Sequence, residues 1–172
     1  MNLRSLISTL QQCAALNLWC VSDDQLRLFY PDEAQNTFNV ALSRHVRAGA
    51  MQRLVPGLYR NPYLPKPRFA LEWLSCLLRP FDVFYLSLET ALHEYGRISQ
   101  IPNRLTFMTS GTSRTFITAL GTIEFTHTQR PIEAWRSKAR FDATRSFYVA
   151  SEDLALHDLK NVGRCLDLVS YD

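Results

Sequence analysis

The segment NTFNVALSRHVRAGAMQRLVPGLYRNPY, Asn36 to Tyr63, does most to limit what this chain can fold into. A helical apolar period gives way at Gly49 to two short strand-forming runs that flank Pro56-Gly57. A helix is therefore followed at once by a hairpin, and both carry arginine. No acidic residue lies between Glu33 and Glu72, whereas Arg44, Arg47, Arg53, Arg60, Lys66 and Arg68 accumulate there. Such a surface suits duplex DNA. Neutralised phosphates supply most of the affinity, and a carboxylate facing the backbone opposes it.

Thr37 is the candidate N-cap of this helix, which runs from Phe38 to about Ala48 and stops at Gly49. At about 100° per residue, Phe38, Ala41, Leu42 and His45 share one face, with Val46 at its margin. Asn39, Val40, Ser43, Arg44 and Arg47 share the other. The apolar side suits packing on two earlier helices and the polar side suits the major groove, where Asn pairs with adenine and Arg with guanine. His45 belongs to the packed face. Arg53 and Arg60 on the hairpin are placed to grip flanking phosphates, fixing register without reading sequence. The expected DNA contacts are thus Thr37, Asn39, Val40, Ser43, Arg44, Arg47, Arg53 and Arg60.

Upstream, Leu3, Leu6, Ile7, Leu10 and Ala14 recur at helical spacing to about Leu16. Ser22 caps a second helix with Asp23 and Asp24 in its first turn, and that helix ends before Pro31. Pro-Gly favours a type II turn, which splays its strands, so the hairpin is expected to be loose or wide. Three short helices and a hairpin describe a winged helix-turn-helix over residues 1–66. Pro62, Pro65 and Pro67 then form a stiff break.

Residues 67–172 read as a small mixed α/β domain, making the whole chain α+β. Phe69–Leu78 is an apolar helix. Phe84–Leu86 is a strand leading through Ser87, as cap, into a helix ending at Gly96. Arg104–Met108 and Thr122–Thr128 read as strands, with a third near Thr115–Leu120. Pro131–Lys138 is a short helix and Phe147–Val149 a strand. Ser151 caps a last helix stopped by Gly163.

Charge follows the same division. The net charge of +3 over 172 residues combines nine Lys/Arg against five Asp/Glu up to Pro80 (+4) with ten against eleven thereafter (−1). The nucleic-acid reading belongs to the first half alone. Arginine outnumbers lysine 16 to 3, which suits bidentate contacts to phosphate or guanine, although a lineage preference for arginine explains it equally well. At 47% hydrophobic and 20% charged residues the chain is globular rather than disordered. Cys13, Cys20, Cys76 and Cys165 lack any C-x-x-C spacing and read as free thiols in a reducing compartment. The N-terminus is too polar for a signal peptide, and no apolar run approaches the roughly 18 residues of a membrane span. A cytoplasmic protein without membrane association is expected.

Catalysis finds little support. His157 and Asp158 are adjacent on a helix and diverge by about 100°. Glu152 and Asp153 serve a helix N-terminus, and Asp158 suits a structural acid paired with an arginine such as Arg164. His93 and Glu94 lack an H-E-x-x-H partner, since residue 97 is arginine, and His127 stands alone on a strand. Gly111, in TSGTSRT, reads as a polar hairpin tip rather than a phosphate cradle. No enzyme motif and no zinc spacing occurs, and no cofactor is implied.

LVPGLYR at Leu54–Arg60, FYLSLETALHEYG at Phe84–Gly96 and YVASEDLALHDL at Tyr148–Leu159 occur in that order behind the basic helix. In order and spacing they resemble the AbiEi family of antitoxins, the DNA-binding halves of abortive-infection toxin–antitoxin pairs. The resemblance implies a winged helix that represses its own operon by binding inverted repeats in the promoter. It also implies a second domain that serves antitoxicity, counteracting a nucleotidyltransferase-like toxin with or without direct contact. A palindromic operator would hold two copies, associating on DNA. The alternatives are a stand-alone winged-helix regulator and a protein-interaction module that does not bind DNA.

Overall fold

The computed structural model describes residues 1–170. The chain divides into two compact units, Met1–Arg68 and Phe69–Asp172, two residues beyond the edge expected at 66. Seven α-helices and two β-sheets among the described residues make the fold a mixed α+β one.

The first unit contains α1 (Leu3–Ala15), β1 (Cys20–Ser22), α2 (Asp23–Arg27), α3 (Gln35–Arg47), β2 (Gln52–Val55) and β3 (Leu58–Arg60). Ser22 caps α2 in a full capping box. Its Oγ accepts from the Gln25 N–H at 3.0 Å, and the Gln25 side chain accepts from the Ser22 N–H at 2.9 Å. Leu6, Leu10, Cys13, Val21, Leu26, Phe38, Leu42, Met51 and Tyr59 form its core. Burial pushes the Cys20 thiol up to about 11, and all four cysteines are free.

The hairpin is tighter than expected. Val55 pairs directly with Leu58, leaving Pro56-Gly57 as a two-residue loop with Gly57 at φ +83°. A register shift between Arg53 and Val55 bulges Leu54 out of the ladder, and that extra twist accommodates a turn that would otherwise splay the strands. β1 also joins β3, giving the antiparallel order β1-β3-β2. Asn61, fully buried beyond β3, donates its amide to the Leu10 carbonyl at 2.9 Å and the Leu18 carbonyl at 3.1 Å. This bond set ties the end of the hairpin to α1.

The second unit holds α4 (Ala70–Leu78), β4 (Phe84–Leu86), α5 (Leu88–Glu94), β5 (Arg104–Thr109), β6 (Arg114–Thr118), β7 (Gly121–His127), α6 (Ile132–Arg136), β8 (Ala139–Asp142), β9 (Phe147–Ala150) and α7 (Glu152–Val162). Its sheet runs β6-β7-β5-β4-β9-β8, with β5–β7 and β4–β9 parallel and the other pairs antiparallel. Strand alternation turns Phe84, Phe107, Phe125 and Phe147 to one face, where their rings lie 5.1–6.4 Å apart. Tyr85 and Met108 turn to the other face and pack with Leu92 of α5, Trp135 of α6 and Leu154 and Leu159 of α7.

Gly111 does not mark a hairpin tip. β5 and β6 flank β7, so residues 110–113 carry the chain past the end of β7. His127 at that end donates its backbone N–H to the Ser113 hydroxyl oxygen at 2.8 Å and places Nδ1 2.8 Å from the Gly111 carbonyl oxygen. A Cβ on Gly111 would stand 2.3 Å from an Asp82 carboxylate oxygen, so any other residue there would require the Asp82 side chain to move.

Candidate nucleic-acid interface

Phe38, Ala41, Leu42 and His45 are the buried residues of α3, which is the apolar face that the helical period selects. Thr37, Asn39, Val40, Ser43, Arg44 and Arg47 are all exposed. Thr37 is not the cap. The helix begins three residues earlier than expected, with Ala34 at the N-cap position and no side-chain capping bond. Thr37 therefore sits one turn inside, on the exposed surface. Together with Met1, Asn36, Val40, Ala41 and Arg44 it lines a groove of about 390 Å³.

Two polar side chains on this face are already held. The Asn39 Oδ1 accepts from Gln35 Nε2 at 3.1 Å, one helical turn away, on the exposed surface. Arg44 donates from Nη2 to the Met1 carbonyl at 3.3 Å, and the buried His45 places Nε2 3.5 Å from the same oxygen. Arg44 is exposed and uses one of its five N–H donors in this bond.

The hairpin arginines do not act as a matched pair. Arg53 is paired with Tyr59 and Arg60 with Gln52, so the two side chains leave opposite faces of the sheet. Arg53 is exposed and Arg60 half-buried. Both line a cleft of about 500 Å³ together with Val46, Gly49, Met51, Gln52 and Pro62. Arg60 Nε is buried there without a hydrogen-bond partner. Burial raises the Tyr59 hydroxyl pKa above its ordinary value, with Arg53 opposing and Asp23 adding to the rise.

The window from Glu33 to Glu72 is free of acids along the chain but not in space. Asp23 donates its backbone N–H to the Gly57 carbonyl at 3.0 Å, and its carboxylate oxygens lie 3.4 Å from where a Gly57 Cβ would stand. The hairpin turn thus carries a negative charge. The pairing of Ser22 with Leu58 brings it there, and a three-residue strand offers too few positions for alternation to be read.

In the second unit the titratable groups form structural pairs. Asp158 is buried and satisfied on both oxygens: Arg130 ion-pairs with Oδ1 at 3.0 Å, while Ser87 Oγ donates to Oδ2 at 2.8 Å and Tyr85 Oη at 3.0 Å. Burial holds its carboxyl above the usual range, outweighing Ser87, Arg130 and Tyr85. Arg164 is not its partner. Arg164 reaches Glu89 at 2.8 Å and also pairs with Glu124, which Arg104 holds from the other side at 2.5 Å. Ser87 stands at the N-cap position of α5 but spends its hydroxyl on Asp158 rather than on the helix, and the buried Leu88 beside it adopts φ +59°. His93 Nδ1 faces the Ile98 carbonyl at 2.9 Å, and His157 Nδ1 faces the Asn161 amide at 2.8 Å. Among the described residues, no group of three or more His, Cys, Asp or Glu is placed to hold a metal ion, and no helix is long and apolar enough to cross a membrane. No family model matches the chain, and no curated protein or solved structure matches it.

Proposed function

We propose that this chain is an antitoxin of the AbiEi type that represses its own operon. Residues 1–66 act as a winged helix-turn-helix, with α3 as recognition helix and β2–β3 as wing. The observation that carries the DNA-binding half is the division of α3. The face carrying Phe38, Ala41, Leu42 and His45 is buried while Asn39, Ser43, Arg44 and Arg47 stand exposed on the other. Arg44 and Arg47 supply phosphate or guanine contacts, Asn39 a base-edge contact, and Arg53 and Arg60 anchor the flanks.

The antitoxin half rests on the resemblance, and one structural relationship supports it. The two segments that carry it, Phe84–Gly96 and Tyr148–Leu159, are neighbours in one core. β4 pairs with β9, and Ser87 at the head of α5 donates to Asp158 of α7. The toxin counteracted is nucleotidyltransferase-like, and no cofactor is required. The test has two arms. The chain is expected to shift DNA from upstream of its own gene, and Arg44→Ala with Arg47→Ala is expected to abolish that shift while circular dichroism stays unchanged. An unaltered shift removes α3 as the reading element. Co-expression is expected to relieve growth arrest by the adjoining nucleotidyltransferase-like gene, and failure of rescue removes the antitoxin role alone.

A further inference from the structure

The six-stranded sheet has two open edges, β6 and β8, and they differ in chemistry. Open edges offer unpaired N–H and C=O groups to other chains, and charge, proline or bulges normally blunt them. The β8 edge is blunted, with Lys138, Arg140 and Asp142 along it. The β6 edge reads Arg114-Thr115-Phe116-Ile117-Thr118, with an unbroken register against β7, no proline and its one charge at the end. Ile117 on this edge is 84% exposed.

We propose that β6 pairs with β6 of a second copy of this chain, antiparallel about a two-fold axis through Phe116, joining two sheets into one. The ladder is self-complementary. Ala119-Leu120 forms a two-residue turn, so the closing pair Thr118–Gly121 is a hydrogen-bonded one. Alternation then turns the backbone groups of Thr115 and Ile117 away from β7, onto the open edge. A two-fold axis at Phe116 sets Thr115 of one copy against Ile117 of the other, and those are the residues whose N–H and C=O groups face outward. Four ladder hydrogen bonds close. Each Ile117 is covered by the opposing Thr115, and each Arg114 meets a Thr118, so no like charges stand directly opposite. Phe116 meets Phe116 as a non-hydrogen-bonded pair, its ring fixed edge-on against Phe125 at 6.0 Å and under the Arg114 guanidinium at 4.7 Å. The pairing needs no DNA and stands apart from the reading of α3.

Sedimentation of the full chain without DNA tests it. The wild type is expected to pass from monomer to dimer between micromolar and near-millimolar concentration. Ile117→Lys, which sets a charge on the edge, and Thr115→Pro, which removes an outward N–H without touching the β7 ladder, are expected to weaken dimerisation by at least an order of magnitude. Phe141→Lys on the β8 edge is expected to leave it unchanged. Register is read by mild oxidation: Phe116→Cys places two thiols across the axis and is expected to cross-link, whereas Ile117→Cys faces Thr115 and is not. A wild type that stays monomeric throughout, edge variants that sediment like the wild type, or cross-linking as ready at 117 as at 116 would overturn the proposal.

Discussion

Asp23 and Gly57 meet at the hairpin turn, the Asp23 N–H donating to the Gly57 carbonyl at 3.0 Å while the carboxylate lies over the glycine. If the hairpin meets DNA as proposed, a charge of this sign opposes phosphate at its turn. Asp23→Asn keeps the backbone bond and the shape but removes the charge, so it is expected to tighten DNA binding several-fold at low salt. The gain should shrink as salt rises, because exposed charges are screened over roughly 10 Å at 0.1 M. Titration by fluorescence anisotropy at two salt concentrations measures it. Unchanged affinity would place the turn away from the backbone.

Gly57 itself is held at φ +83°, where a side chain is strained, and an added Cβ would contact Asp23. Gly57→Ala is expected to cost the first unit about 1–2 kcal/mol, read from urea unfolding. The same change at an exposed strand position would cost far less.

Asn61 presents its amide N–H groups to the Leu10 and Leu18 carbonyls. Asn61→Asp turns a carboxylate oxygen toward two carbonyl oxygens inside the protein and should destabilise more than Asn61→Ala, which costs about 1–3 kcal/mol. Equal destabilisation in the two variants would mean that water satisfies the site.

The face of α3 was readable because a 3.6-residue period states directly which positions are buried: Phe38, Ala41, Leu42 and His45 all are. Its start was not readable, since Ala34 caps the helix through position alone. β8 was missed because Ala-Arg-Phe-Asp is an edge strand whose charges break any apolar pattern. The partners of Arg164 were out of reach for a different reason. Glu89 on α5 and Glu124 on β7 lie 75 and 40 residues away in the chain, and only the tertiary fold brings them together. Local periodicity is written in the sequence, whereas long-range ion pairing is a product of topology. The expected Asp158–Arg164 pair failed on that ground, with Arg130 taking the place.

Acid stability follows from these pairs. Burial pushes the Glu124 carboxyl up, but hydrogen bonds and charge from Arg164 and Arg104 outweigh it and leave it below its ordinary value. Asp142 is lowered likewise by Arg145, against its own desolvation. A lowered folded pKa means that the unfolded chain binds protons first. Stability present above the ordinary carboxylate range, about 4, is therefore lost as pH falls through the folded values. Asp158, raised by burial, has the opposite sign: its contribution is full at low pH and declines as pH rises through its folded value. Glu124→Gln is expected to flatten the loss of stability of the second unit between about pH 6 and about pH 3. Denaturant midpoints across that range check it, and a slope as steep as the wild type's would contradict it.

Asp158→Ala leaves Arg130 without its partner and two buried hydroxyls without an acceptor, and is expected to cost about 3–5 kcal/mol. DNA binding by the first unit should survive it. Calorimetry with a parallel gel shift separates the two effects.

The central claim is that α3 and the hairpin bind duplex DNA through phosphate and base-edge contacts. The most direct test is the dependence of the dissociation constant on salt for the promoter DNA, comparing the wild type with Arg44→Ala/Arg47→Ala. The account predicts a steep log–log slope for the wild type, and in the variant a slope shallower by about 0.9 for each phosphate that is no longer neutralised. A wild-type affinity that barely responds to salt, or a variant with the wild-type slope and affinity, would contradict it.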